Sequence, residues 1–146
     1  MRLKRRGTIG LASVIGLVAT LLAAPQAAFA AGYFGSEVNF AASSSGMPDN
    51  DDYVPYIATT GAAAMFANRG DDFYVYDTVA DGHSAAAIWT DVDSARSGSC
   101  VSQWGYLKYG WCNKDFTEGH TILMAAAVYE GGALVRQSNW FQFIVI

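Results

Sequence analysis

Four aromatic side chains, Trp104, Tyr106, Tyr109 and Trp111, lie between two cysteines, Cys100 and Cys112. Rings held on a rigid element can stack on the apolar C–H faces of sugars. Trp and Tyr also dominate the hot spots of protein interfaces. The group is therefore a candidate contact surface for a glycan or a protein. The competing expectation is burial, because a buried aromatic brings about 150–250 Å² of contact.

Other residues invite chemistry and do not sustain it. Asp81-Gly82-His83-Ser84 holds the three residue types of a hydrolytic triad. Neighbouring side chains in a tight turn are expected to diverge, whereas a triad needs each group within hydrogen-bond reach of the next. Asp91-Val92-Asp93 and Asp49-Asn50-Asp51-Asp52 resemble fragments of calcium loops, without the Gly and Glu positions of an EF-hand. Arg69-Gly70-Asp71 matches an integrin-binding tripeptide at a turn, where turn chemistry alone explains Gly and Asp. Glu118, Glu130 and other carboxylates could form a glycosidase pair, but no spacing selects one. No residue is nominated as catalytic, and no cofactor or metal is expected.

The elements that must position the aromatics read as strands. Ala31–Phe40 is an expected edge strand and Ala41–Asp52 an expected loop. Pro55 demotes Tyr53–Ile57 to an edge or a loop, since proline cannot donate to a ladder. Thr60–Ala67 is read as strand rather than as a short alanine-rich helix. From Phe73 the residues alternate, with Phe73, Val75 and Asp77 on one face and Tyr74, Tyr76 and Thr78 on the other. Ser84–Val92 follows a Gly82 turn, so Ala62–Asn68, Phe73–Thr78 and Ser84–Val92 are expected to form a three-stranded meander. Cys100–Trp104 and Tyr106–Cys112 should then pair as a hairpin about Gly105, stapled by its cysteines. Thr121–Tyr129 is a long apolar strand. Trp140–Ile146 is almost wholly apolar, which predicts a position buried on both faces or central. Together these predict an all-β fold: a single antiparallel β-sandwich of about seven short strands, with a small β-barrel as the second choice.

The first thirty residues set the compartment. Arg2, Lys4, Arg5 and Arg6 precede an uncharged run, Ile9–Ala24, and Ala28-Phe29-Ala30 is a small-x-small site. This is the order of a secretory signal peptide cleaved after Ala30. The apolar run is shorter than the roughly 20 residues that span a bilayer. The secreted domain is then 31–146. Five of the nine basic residues and all 13 acidic residues remain in it, a net charge of −8. That charge disfavours nucleic acid, whose binding needs cations for phosphates, and no membrane contact is expected after cleavage. Outside the cell, two cysteines predict one disulfide, Cys100–Cys112. A metal site would have only His83 and His120 to complete it.

The series Gly70-Asp71-x-Phe73-x-Val75-x-Asp77-Thr78-x-Ala80-Asp81-Gly82-His83-Ser84-Ala85, then Arg96-Ser97-Gly98-x-Cys100, then Cys112-Asn113-x-Asp115-Phe116-x-Glu118-Gly119 resembles a group of uncharacterised small secreted proteins of actinomycetes. The resemblance runs from about Gly61 to Val128. It implies a compact β fold with the Cys100–Cys112 bridge and carries over no catalytic residue. The expectation is a secreted, non-catalytic domain that binds a glycan or protein, free or at the cell wall, through the aromatic hairpin. The alternatives are an inhibitor or toxin-like module presenting that hairpin, and a small carboxylate hydrolase. Oligomeric state and ligand are left open.

Overall fold

The computed structural model describes residues 32–47 and 53–146. The expected signal peptide and the Asp49–Asp52 run lie outside the described residues. The described residues form eleven strands: β1 (Glu37–Phe40), β2 (Ala42–Ser44), β3 (Tyr53–Thr59), β4 (Ala62–Ala67), β5 (Asp72–Asp77), β6 (Ser84–Asp91), β7 (Ser97–Ser102), β8 (Tyr109–Asn113), β9 (Thr121–Glu130), β10 (Ala133–Gln137) and β11 (Phe141–Ile144). One sheet runs β1-β7-β6-β9-β10, with β11 also on β9, and the other runs β2-β8-β5-β4-β3. They pack face to face as a sandwich, and every pairing is antiparallel except β1 with β7. The barrel alternative is not formed, because both sheets keep open edges.

The expected meander breaks after β5. Strand β6 leaves for the other sheet and pairs with β7 and β9. The reason is burial. Ala85 to Trp89 are all inaccessible to solvent, whereas β5 alternates between buried and half-buried residues. A strand apolar on both faces must sit centrally in a sheet that is covered on both sides. The outer cover comes from the first described residues. Tyr33, Phe34 and Val38 pack on Ala86, Ile88, Val101, Ala125, Ala127 and Tyr129. The Phe34 amide donates to the Tyr129 hydroxyl at 3.2 Å.

The aromatic hairpin is a second correction. Strands β7 and β8 lie in different sheets, so Cys100 and Cys112 join across the sandwich rather than along a hairpin. Both cysteines face the core. Residues 103–108 are the connection that carries the chain from one sheet to the other. A third correction concerns the C-terminus. Strands β10 and β11 lie end to end along one edge of β9. Ser138 bridges the break, its amide donating to the Ala126 carbonyl at 2.8 Å and its Oγ accepting from the Ala126 amide at 3.0 Å. Phe143 and Val145 are buried in the core and Phe141 packs partly against it, while Ile144 and Ile146 are 55% and 78% exposed. Apolar residues on the wet side of an edge strand hide the alternation from the sequence. Finally, β2 falls within the expected loop 41–52, while β3 is the edge strand that Pro55 implied, with a register shift between Val54 and Ile57.

The core between the sheets contains a cluster of aromatic rings. Phe66 touches Phe73 and Phe143 at ring distances of 5.0 and 4.7 Å. Trp89 meets Phe116 edge-on at 5.0 Å. A charged plug closes this end. Arg96 Nε donates to Glu37 at 2.8 Å, Lys114 Nζ donates to Glu37 at 3.2 Å, and the same Nζ lies 4.9 Å from the Trp89 ring centre. The Arg96 hydrogen bond, aided by Lys114, holds the Glu37 carboxyl below its ordinary range despite desolvation. A depressed carboxyl contributes stability that is complete above its unfolded pKa and disappears as pH falls through the folded value. Glu37→Gln should therefore cost about 1–2 kcal/mol at neutral pH. The gap to the parent protein should narrow in urea titrations taken below about pH 4.5, near the ordinary glutamate value. A constant gap across that range would contradict this ion-pair role.

Candidate binding site at the loop end of the sandwich

The fold divides the four aromatics into two pairs. Tyr109 and Trp111 point outward from β8 because Gly110 and Cys112 point in. Strand β5 lies alongside, placing Tyr76 opposite Tyr109 and Tyr74 opposite Trp111. The Tyr76 and Tyr109 rings stack at 4.4 Å with planes 19° apart. Burial pushes the Tyr74 and Tyr76 phenols up, and neighbouring Tyr109, Tyr106 and Tyr56 add to the effect at Tyr76. Both hydroxyls thus stay protonated at neutral pH and can donate. The alternation of Phe73–Thr78 already puts Tyr74 and Tyr76 on one face. What the sequence hides is the β5–β8 pairing, which joins residues more than thirty apart and turns two pairs of rings into one surface.

Trp104 and Tyr106 stand elsewhere, on the 103–108 connection. Trp104 Nε1 donates to the Ala41 carbonyl at 2.8 Å. Ala41 is the residue at which the chain passes from β1 in one sheet to β2 in the other, and its own amide donates to the Val101 carbonyl at 2.8 Å. Gly110 permits this crossing: a Cβ there would sit 2.7 Å from the Ala41 Cβ. The Leu107 amide donates to the Asp77 carbonyl at 3.0 Å, which ties the connection to the end of β5. Gly105, with φ of 83°, supplies the reversal between these two anchors. Trp104 is 51% exposed and Tyr106 47%, yet both sit on a backbone pinned at each side.

Two cavities flank this connection and share Gln103 as a wall. One, of about 320 Å³, is apolar and lined by Phe40, Ala41, Val101, Gln103 and Trp104. The other, of about 440 Å³, is more polar, with a mixed lining of Asp77, Ala80, Gly82, His83, Ser84, Gln103, Gly105 and Tyr106. Burial pushes the Asp77 carboxyl up, while the Val79 amide donating to Oδ1 at 3.0 Å pulls the other way. His83 Nδ1 lies 2.9 Å from Asp81 Oδ2, and Nε2 lies 3.4 Å from Glu130 Oε2. The bond to Asp81 raises the imidazole above its ordinary value and lowers the Asp81 carboxyl. The expectation that Asp81 and His83 diverge is thus corrected. The Asp81 Oδ1 also accepts the His83 amide at 3.1 Å, which folds the turn back on itself.

The remaining candidates are occupied structurally. Asp71 Oδ2 accepts the Phe116 amide at 2.8 Å, so the carboxylate of the Arg69-Gly70-Asp71 tripeptide faces its own fold. Asp91 accepts from the Asp93 amide at 3.0 Å, and its Oδ2 lies 2.9 Å from His120 Nδ1. Burial alone would raise the Asp91 carboxyl, but the contacts with His120, Ser94 and Asp93 outweigh it. No cluster of three or more His, Cys, Asp or Glu among the described residues could hold a metal ion. Glu118 precedes β9 and Glu130 ends it. They stand at opposite ends of this ten-residue strand, about 30 Å of extended chain, far beyond the roughly 5–9.5 Å of a glycosidase pair.

Comparison of the chain with family models, curated proteins and solved structures gives no match.

Proposed function

We propose that this protein is a secreted, non-catalytic binding module that holds a neutral glycan in the divided cleft around Gln103. The observation that carries this reading is Trp104. Its ring is half exposed as a cavity wall, and its one polar atom is satisfied by the Ala41 carbonyl. An exposed indole fixed in this way offers its apolar surface to a ligand without an ordering cost. Beside it, Gln103, Asp77 and Ser84 supply the hydrogen-bonding groups that fix hydroxyls, in the pattern of an apolar pocket with a few convergent polar groups. The cleft walls hold one acid, Asp77, and His83, with no lysine or arginine. Phosphorylated and sulfated ligands are therefore disfavoured. The Cys100–Cys112 bridge, buried in the core, suits an oxidising compartment.

The inhibitor reading has less support. Its hairpin is absent, and the 103–108 segment is pinned by the Trp104 and Leu107 hydrogen bonds.

The test is retention of the purified protein on washed cell walls, chitin and cellulose. The expected result is retention on at least one matrix, weakened several-fold by Gln103→Ala and unchanged by Ile144→Ser, an exposed position at the opposite end of β9 from the Ser84 wall. If no matrix retained the protein, or if both variants behaved like the parent, the glycan reading would be wrong.

A further inference from the structure

The cleft does not end at its own walls. Tyr106 lines the more polar cavity, and the Leu107 amide next to it is bonded to the carbonyl of Asp77, the residue after Tyr76. This anchor sets the 103–108 connection against the corner of β5 that carries the Tyr76–Tyr109 stack. The phenols of Tyr106, Tyr109 and Tyr56 are close enough to Tyr76 to raise its pKa. Two residues further along each strand, on the same outward face, stand Tyr74 and Trp111. Aromatic surface thus continues from Trp104 and Tyr106 to Trp111. Tyr74, Tyr76, Tyr109 and Trp111 themselves carry no charge, in a domain whose expected net charge is −8, while Asp72 is the neighbouring outward position of β5 and exposed Lys108 precedes Tyr109.

We propose that the ligand is a polymer: a neutral oligosaccharide chain that enters the Trp104 cleft, crosses Tyr106 and lies along the Tyr76, Tyr109, Tyr74 and Trp111 face. This rests on the glycan reading of the cleft. The stacked Tyr76 and Tyr109 rings cover one another's faces, so they grip by ring edges and hydroxyl donors. Trp111 makes no ring stack with a described residue and offers a face to a later sugar. The four uncharged rings suit a neutral chain, and the exposed Lys108 beside Tyr109 can donate to its hydroxyls.

The test compares soluble β-linked disaccharides and hexasaccharides of the chitin and cellulose series by titration calorimetry. In the parent protein the hexasaccharide should bind at least about tenfold more tightly than the disaccharide, the gain expected from two or more added aromatic contacts. Tyr76→Ala/Tyr109→Ala should remove that advantage and leave disaccharide affinity within about twofold, a shift too small to represent a lost contact. Trp111→Ala, at an outward position whose loss leaves the core intact, should remove part of it. If the parent protein bound both lengths equally, or both variants kept the full advantage, the track would be refuted while the cleft reading stood. If neither length bound the parent protein, the cleft reading would fail and the track with it.

Discussion

Cys100→Ala/Cys112→Ala should lower unfolding stability by about 3 kcal/mol, the chain-entropy value for a loop of this length. The bridge closes a short loop, its ends at a sequence separation of 12. Its position adds to its consequence. It is the covalent link between β7 in one sheet and β8 in the other, with Cys100 fully buried and Cys112 nearly so. In the unfolded chain it shortens the search for the facing of the two sheets. The loss should appear as a fall in Tm of roughly 10–20 °C, since each kcal/mol moves a domain of this size by several degrees. It should appear equally when the parent protein is compared with and without reductant. A loss under about 1 kcal/mol would mean that the sheets hold their facing through the Phe66, Phe73 and Phe116 core alone.

Trp104→Ala should weaken glycan binding by about tenfold to a hundredfold, the range for losing one well-placed aromatic anchor. The fold should survive, because the side chain is half exposed and its one hydrogen bond goes to the carbonyl of the β1–β2 crossing. That bond makes a control necessary. Losing the indole N–H leaves the Ala41 carbonyl to water, at a cost of about 1 kcal/mol. Trp104→Phe separates the two effects: it keeps a ring and removes the donor. If the ring matters for binding, the phenylalanine variant should retain more affinity than the alanine variant while sharing its loss of stability. Equal affinities in the two variants would assign Trp104 to holding the crossing rather than to the ligand.

The sequence reveals the strands more readily than their partners. The alternation in Phe73–Asp77, the turn at Gly82 and the apolar run Thr121–Tyr129 all correspond to strands. Pairing is set by surfaces remote in the chain. Nothing near β6 tells that Tyr33, Phe34 and Val38 will cover its outer face, and that cover is what allows β6 to be central. Turn chemistry at Gly105 suggests a hairpin, but two hydrogen bonds from the 103–108 connection, to Ala41 and Asp77, make it a crossover. The candidate site inherits the same limit. All four nominated aromatics lie at least partly exposed, as a contact surface requires. Their grouping was local in the sequence, whereas the structure regroups them with Phe40, Tyr74 and Tyr76. Those partners are reached through the β1–β7 and β5–β8 registers.

The most direct test is a map of amide chemical shifts in the isotope-labelled protein as a soluble hexasaccharide of the chitin or cellulose series is added. Perturbations should concentrate at Phe40, Ala41, Gln103, Trp104, Tyr106, His83 and Ser84, extending to Tyr76, Tyr109 and Trp111. Perturbations confined to the β10 and β11 edge, or no saturable change with either sugar, would contradict this placement of the glycan.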